Sequence, residues 1–155
     1  MALEVEYFAS PKIIFNRGAL EKLPDEVGEK AKVVIITDKF LAKSGKADRV
    51  AGVLKNAGCE VLIWDGAESD PSMNCLNAGA KVLLDFQPKA VIGLGGGSAI
   101  DSAKGAWLLY ERPDLMKTYI GSTIFPGTKL NLHKKAKMIT IPTTAGTGSD
   151  VGGKH

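Results

Sequence analysis

The amino-acid sequence predicts an α/β domain with a doubly wound, Rossmann-like parallel sheet. Short apolar runs rich in β-branched residues recur along the chain, and segments with helical spacing of apolar residues lie between them. Strand and helix alternate at about 25 to 30 residues, close to the length of a βαβ unit. The runs are apolar at nearly every position, as expected for parallel strands that helices cover on both faces.

The strands and helices can be placed along the chain from these patterns. A pair of strands is expected at 5–8 and 12–15, followed by a helix at about 19–30 that Pro24 interrupts after a short first turn. Further strands are predicted at 32–37, 60–64, 90–94 and 137–141. Helices are predicted between them: one that contains 50–54 and ends at Gly58, one at about 72–86, and one at about 99–110.

Composition and charge exclude several classes of protein. The 155 residues carry a net charge of +3, without the dense basic stripe that nucleic-acid binding needs, and the run 134–137 is interpreted as a solvated turn. No apolar segment approaches the ~20 residues of a membrane span, and the N-terminus lacks the pattern of a secretory signal. Cys59 and Cys75 have no metal-ligand spacing and are expected to be reduced thiols. We therefore expect a cytoplasmic protein that binds neither nucleic acid nor membrane.

A glycine loop, Gly95-Gly96-Gly97-Ser98, follows a predicted strand and opens a predicted helix. The unpaired amides and positive dipole end of that helix suit a phosphate, and Ser98 either adds a hydroxyl or caps the helix. A tight turn without a ligand is an equally good interpretation of the loop alone. The loop departs from the usual dinucleotide fingerprint, because Ser98 takes the third glycine position of G-x-G-x-x-G, and it is not a P-loop.

Two carboxylates are candidates for ligand contacts. Asp38 ends a buried strand, at the sheet edge where α/β folds bind ligands, and a carboxylate there can accept ribose hydroxyls and repel a 2′-phosphate. The alternative role of Asp38 is a helix N-cap. Asp101 shares a helix face with Lys104 and either contacts a ligand or stabilises the start of its helix.

A second polar loop, 141–150, interleaves threonine and serine with glycine directly after the last predicted strand. Its hydroxyls come from Thr143, Thr144, Thr147 and Ser149, and they can hydrogen-bond an adenine, a ribose or a phosphate. Alone, the loop is equally compatible with a polar turn. The strand end at Asp38, the glycine loop and this loop follow three predicted strands, and together they favour a dinucleotide site.

The segments 95–104 (GGGSAIDSAK) and 141–150 (IPTTAGTGSD) resemble the iron-containing, or group III, alcohol dehydrogenases, whose wider relatives are glycerol dehydrogenase and dehydroquinate synthase. The segments 11–20 and 32–38 are also similar, and the resemblance extends to about Val151. It implies the N-terminal domain of the dehydroquinate synthase-like fold, with NAD as the cofactor. By position it implies that Asp38 selects NAD over NADP, that the glycine loop holds the pyrophosphate, and that Asp101 lies near the nicotinamide. Family members usually have glutamate at the position that Asp150 occupies in this chain. The predicted cofactor-binding residues are Asp38, Gly95, Gly96, Gly97, Ser98, Asp101, Thr143, Thr144, Thr147 and Ser149.

The sequence departs from the family pattern after the second loop. In the family, an all-helical domain follows and supplies an aspartate and three histidines as metal ligands. This chain has two histidines, His133 and His155, and neither lies in that ligand motif. We therefore expect an NAD-binding α/β domain at 1–151, a truncated or non-native tail at 152–155, no metal site and no catalytic residue in this chain.

The resemblance implies an NAD-dependent alcohol dehydrogenase that uses iron or another divalent metal to activate the alcohol for hydride transfer. The expectation for this chain is its cofactor domain, inactive alone, which takes an alcohol or aldehyde only together with the missing domain and self-associates, as a homodimer or otherwise. Two alternatives stay open. One is a stand-alone, non-catalytic nucleotide-binding module, and the other is a fragment of a glycerol dehydrogenase or dehydroquinate synthase-like enzyme.

Overall fold

A computed structural model describes residues 11–114 and 131–150, which form a four-stranded parallel sheet with helices on both faces. The strands are β1 Lys32–Ile36, β2 Glu60–Trp64, β3 Ala90–Gly95 and β4 Lys137–Pro142, in the order β2-β1-β3-β4. The helices are α1 Leu23–Val27, α2 Lys39–Lys43, α3 Lys46–Asn56, α4 Met73–Phe86 and α5 Gly97–Glu111, with a 3₁₀ turn at Ala19–Lys22. The predicted α/β fold class is confirmed.

The strand order places a topological switch point between β1 and β3. From β1 the chain crosses to β2 on one side, and from β3 it crosses to β4 on the other. Ile36 pairs with Trp64 of β2 and with Gly93 of β3, so the carboxyl ends of these strands share one sheet edge. In open α/β sheets, ligands bind in the crevice outside such a switch point.

The core has two layers, one on each face of the sheet. Side chains alternate along β1, so Val33 and Ile35 pack with α3 residues such as Leu54, while Val34 and Ile36 pack with α4 and α5. These four side chains of β1 are fully buried, and Lys32 at its start is exposed. This double coverage explains why β1 is apolar at successive positions instead of alternating with polar residues.

Glycines let α4 and α5 approach each other and the sheet closely. A Cβ at Gly79 of α4 would lie 2.9 Å from the Ala106 Cβ of α5, and a Cβ at Gly105 would lie 2.6 Å from the Leu76 Cδ2. A Cβ at Gly93 of β3 would lie 2.9 Å from the Ala103 Cβ. Helix α5 therefore packs close to β3, and a larger residue at Gly93 would push the helix away from the strand.

The carboxylate of Glu111 fixes the turn before β4. It is buried at the end of α5 and accepts backbone N–H groups of Lys134 at 2.8 Å, Lys135 at 2.9 Å and Ala136 at 2.8 Å. The ammonium group of Lys135 donates to the Tyr110 carbonyl oxygen at 2.6 Å. Residues 134 and 135 lie in an exposed bend, as interpreted, whereas Ala136 is buried and Lys137 begins β4, so the solvated turn covers only the first half of the run 134–137.

The N-terminal predictions need correction. The strand predicted at 5–8 lies outside the described residues. Residues 12–15 are not a strand, because they pair with none of the four described strands, and the Phe15 side chain is 94% exposed. The helix predicted at 19–30 is a 3₁₀ turn followed by the short α1, with Pro24 in the first turn of α1, where its missing N–H breaks no hydrogen bond. Helix α1 ends at Val27, and its C-cap, Gly28, has a φ of 92°, which is not helical.

The other predicted elements are confirmed with small changes at their ends. The helical stretch after Asp38 is two helices, because Gly45, with φ of 78°, separates α2 from α3. Helix α5 begins at Gly97, two residues before its predicted start. Cys59 and Cys75 are buried free thiols. Within the described residues, no helix has the length and apolar character to cross a bilayer.

We expect Gly93→Ala to lower the free energy of unfolding by about 1–3 kcal/mol, because the added methyl group contacts Ala103 at 2.9 Å and α5 must move. The matched control is Gly52→Ala in α3, where a Cβ has no atom within 4 Å. This control should gain about 0.5–1 kcal/mol from helix propensity. Urea unfolding followed by circular dichroism measures both variants. Equal stability of the two would contradict the close seating of α5.

Candidate dinucleotide-binding site

Loops that follow β1, β3 and β4 meet at the carboxyl edge of the sheet. The strand pairing continues to this edge, where Gly95 is opposite Pro142, and the amide of Thr143 donates to the Gly95 carbonyl oxygen at 2.9 Å. This hydrogen bond joins the glycine loop to the second polar loop. The two loops that the sequence singled out are therefore directly connected.

The glycine loop is shaped by close contacts at Gly95. This residue has φ of +149°, and a Cβ there would lie 2.6 Å from the Ala99 Cβ and 3.1 Å from Leu41 Cδ1. Gly96 is the N-cap of α5, and its carbonyl oxygen accepts the amide of Ile100 at 3.1 Å. The N-cap is thus Gly96 and not Ser98. The amides of the first turn, at residues 97–99, have no carbonyl acceptor within the helix, which is the arrangement that binds anions at helix N-termini.

The second polar loop packs against these glycines. A Cβ at Gly96 would lie 3.5 Å from Thr144 Oγ1. A Cβ at Gly97 would lie 3.1 Å from Ser149 Oγ and 3.2 Å from Thr147 Cβ. The absence of a side chain at Gly97 therefore allows the hydroxyl-bearing loop to close on the start of α5.

Asp101 links α5 to the second loop. Its carboxylate accepts the Ser149 hydroxyl at 3.3 Å and is exposed. Burial lowers the pKa of the neighbouring Lys104, and the carboxylates of Asp101 and Asp150 oppose part of that shift. The structure thus brings Asp101 into contact with the second polar loop, and its contact with a ligand stays a prediction.

Asp38 uses its two oxygen atoms differently. Oδ1 accepts the amide of Leu41 at 2.8 Å, so Asp38 is the N-cap of α2. Oδ2 accepts no hydrogen bond from the described residues and lies 3.7 Å from the position of a Cβ at Gly95. The capping role is therefore present, and it leaves one oxygen beside the glycine loop for a ligand.

Ser98 holds another wall of the site. Its hydroxyl donates to the Ser69 carbonyl oxygen at 2.6 Å, which ties the start of α5 to the loop after β2. That hydroxyl proton is engaged within the protein, so the part of Ser98 that is available to an anion is its backbone N–H. The contact of Ser98 with a phosphate stays a prediction.

A cleft of about 430 Å³ lies between these elements. Its lining residues, which come from α2, the loop after β2 and the start of α5, are Asp38, Lys39, Phe40, Ala67, Glu68, Ser69, Ser98 and Ala99. Sequence reasoning missed residues 67–69, although they follow β2 and the strand-end rule that selected Asp38 applies to them as well. It also missed Phe40, whose position in the cleft depends on the direction of α2.

Among residues 11–114 and 131–150, no group of three or more His, Cys, Asp or Glu side chains is placed to hold a metal ion. The described residues therefore do not fit a catalytic metal. Their glycine backbone, helix amides, hydroxyls and free carboxylate oxygen fit a ligand with phosphates and ribose.

The fold and this edge define a Rossmann-like α/β domain with a candidate nucleotide site at its switch point. A family model described as iron-containing alcohol dehydrogenase matches residues 10–153. The chain belongs to that family, and the resemblance noted in its two loops is confirmed.

Similar proteins agree with this assignment. The chain is 40% identical over 149 residues to the bifunctional aldehyde-alcohol dehydrogenase of Escherichia coli K12, covering 90% of this chain and 16% of that protein. It is 39% identical over 145 residues to an NADPH-dependent butanol dehydrogenase of Clostridium saccharobutylicum, covering 93% of this chain and 36% of that protein.

Solved structures show the same likeness. An iron-containing alcohol dehydrogenase from Thermococcus thioreducens has a TM-score of 0.78 at 28% identity, covering 94% of this chain and 39% of that one. A sulfoacetaldehyde reductase from Bifidobacterium kashiwanohense, solved in complex with NAD⁺, has a TM-score of 0.75 at 26% identity, covering 96% and 38%. The chain therefore spans well under half the length of these relatives.

We expect Gly95→Ala to lower the free energy of unfolding by about 1–3 kcal/mol, because the φ of Gly95 and the 2.6 Å contact with Ala99 both exclude a side chain. The adjacent Gly96→Ala is the matched control, since its Cβ would meet Thr144 at an ordinary 3.5 Å. Its cost should not exceed about 1 kcal/mol, the cost of alanine at an N-cap. Thermal unfolding of both variants tests this, and a Gly95 variant as stable as the Gly96 variant would contradict it.

Proposed function

We propose that this chain is the dinucleotide-binding part of an NAD-dependent, metal-dependent alcohol dehydrogenase. The observation that carries the proposal is the meeting of three ligand-competent groups at the switch point between β1 and β3. These are Asp38 Oδ2, the first-turn amides of α5 and the hydroxyl-bearing loop 143–149. The family membership supports an alcohol dehydrogenase over a glycerol dehydrogenase or dehydroquinate synthase.

Each group suits one part of the dinucleotide. The amides of Gly97 and Ser98, at the positive end of the α5 dipole, would bind the pyrophosphate without a cationic side chain. Asp38 Oδ2 would accept the adenosine ribose hydroxyls. Asp101 and its partner Ser149 would lie toward the nicotinamide. Thr143, Thr144 and Thr147 would complete the side of the site that the second polar loop forms.

The preference for NAD is proposed from Asp38 and not from the family. The relatives include a protein named as NADPH-dependent and a structure with NAD⁺, so membership alone leaves the choice open. The 2′-phosphate of NADP would lie next to the Asp38 carboxylate, and the repulsion between these two negative charges would disfavour the binding of NADP.

The role of this chain in the reaction is to bind and orient the dinucleotide. In metal-dependent alcohol dehydrogenation, the metal supplies a Lewis acid for the alcohol oxygen, and hydride transfer is the chemistry of the cofactor. Because the described residues hold no group of metal ligands, we propose that this chain alone binds cofactor without oxidising alcohol.

A mixture of the chain with NAD⁺, an alcohol and a divalent metal should form no NADH, as measured by absorbance.

Calorimetric titration with NAD⁺ and NADP⁺ tests the site directly. We expect the chain to bind NAD⁺ more tightly than NADP⁺, because of the charge on Asp38. Absence of heat with both dinucleotides, in a folded sample, would overturn the proposal.

We expect Asp38→Gly to shift the preference toward NADP⁺ by about tenfold or more, since removal of one like charge is worth on the order of 1.4 kcal/mol. Glycine is tolerated at an N-cap, so α2 should persist. Asp38→Asn, which keeps an oxygen for the Leu41 amide, should shift the preference in the same direction. The matched control is Asp65→Gly, at an exposed aspartate that follows β2 and does not line the cleft. An unchanged preference in both Asp38 variants would remove this residue from the ribose role.

A further inference from the structure

Phe40 is an exposed aromatic side chain in the cleft. It lies in α2, two residues after Asp38, and is 77% exposed, while the next residue, Leu41, is 4% exposed and anchors the helix. Among the described residues, the exposed large apolar side chains are Ile13, Ile14, Phe15 and Phe40. Three of them are consecutive in one segment, and Phe40 stands apart in the wall of the cleft.

The backbone under Phe40 is fixed by the same carboxylate that is proposed to bind ribose. Asp38 Oδ1 accepts the Leu41 amide at 2.8 Å, and the Phe40 carbonyl oxygen accepts the Ser44 amide at 3.0 Å. The position of Phe40 relative to Asp38 is therefore set by the first turn of α2. Only the side-chain torsions of Phe40 remain to be ordered when a ligand binds.

The cleft offers a flat apolar surface next to polar groups. Phe40, Ala67 and Ala99 supply apolar lining, and Glu68 and Ser69 supply polar atoms. A purine base has two apolar faces and a polar edge. Bases stack on aromatic side chains by their faces, and such stacking does not require base-specific hydrogen bonds.

We propose that Phe40 is the stacking surface for the adenine ring of the bound dinucleotide, and that it sets the affinity for the adenylate half. This rests on the proposed function, because Asp38 must hold the ribose to which the adenine is attached. The ribose at Asp38 Oδ2 brings the base over the neighbouring α2, where Phe40 is the exposed aromatic residue of the cleft.

The test compares the full chain with three variants by calorimetry, using AMP, NAD⁺ and nicotinamide mononucleotide as probes. We expect Phe40→Ala to bind AMP and NAD⁺ about tenfold more weakly, which is within the range measured for loss of one base–aromatic stack. Nicotinamide mononucleotide should bind as it does to the unaltered chain. The matched control is Phe15→Ala, which removes the same ring from a 94% exposed position outside the cleft.

A second readout reports stacking itself. In Phe40→Trp, AMP affinity should persist, and AMP should quench the tryptophan emission more than it does in the unaltered chain, which already has two tryptophans. If Phe40→Ala binds AMP as tightly as Phe15→Ala does, or if AMP causes no additional quenching in Phe40→Trp, the assignment of Phe40 is overturned. If the unaltered chain binds neither AMP nor NAD⁺, the proposed function fails, and this inference fails with it.

Discussion

The parallel pairing of β1 with β3 is the constraint on which the rest of the site depends. Val33 pairs with Ala90 and Ile36 with Gly93, and β3 then continues to Gly95, so the loops after both strands begin side by side. The pairing is stabilised by burial of residues 33–36 of β1 and of all of β3 between two helical layers. A different strand order would leave Asp38 and the glycine loop on separate parts of the edge.

The direction of α5 depends on small residues in the sheet and in the helix itself. Because Gly93 has no Cβ, Ala103 can lie against β3, and Gly105 gives the same freedom toward Leu76. This close seating fixes the start of α5, where Ser98 and Ala99 line the same cleft as Asp38. Glu111 then holds the far end of the same helix to the turn before β4, which positions the loop that follows β4.

Two residues at the edge use one polar atom for a hydrogen bond within the protein and keep a second polar atom for a ligand. Asp38 caps α2 with Oδ1 and keeps Oδ2, and Ser98 ties down Ser69 with its hydroxyl and keeps its amide. Such a site is ordered before a ligand arrives, which lowers the entropic cost of binding. The same feature explains why a capping role and a ligand role for Asp38 are compatible and not exclusive.

Local sequence patterns were enough to predict the parallel α/β class, the four strands of the sheet, the glycine loop, the second polar loop and the strand end at Asp38, because burial periodicity and strand-end positions can be seen in short segments. It did not determine that 12–15 lies outside the described sheet or that Gly45 divides the helix after Asp38, since pairing partners and φ angles depend on the whole fold. The hydrogen bond from the Ser98 hydroxyl to Ser69 and the position of Phe40 in the cleft follow only from the folded chain. Both depend on where the connection after β2 and the short α2 meet the start of α5, and this meeting involves residues far apart in the chain.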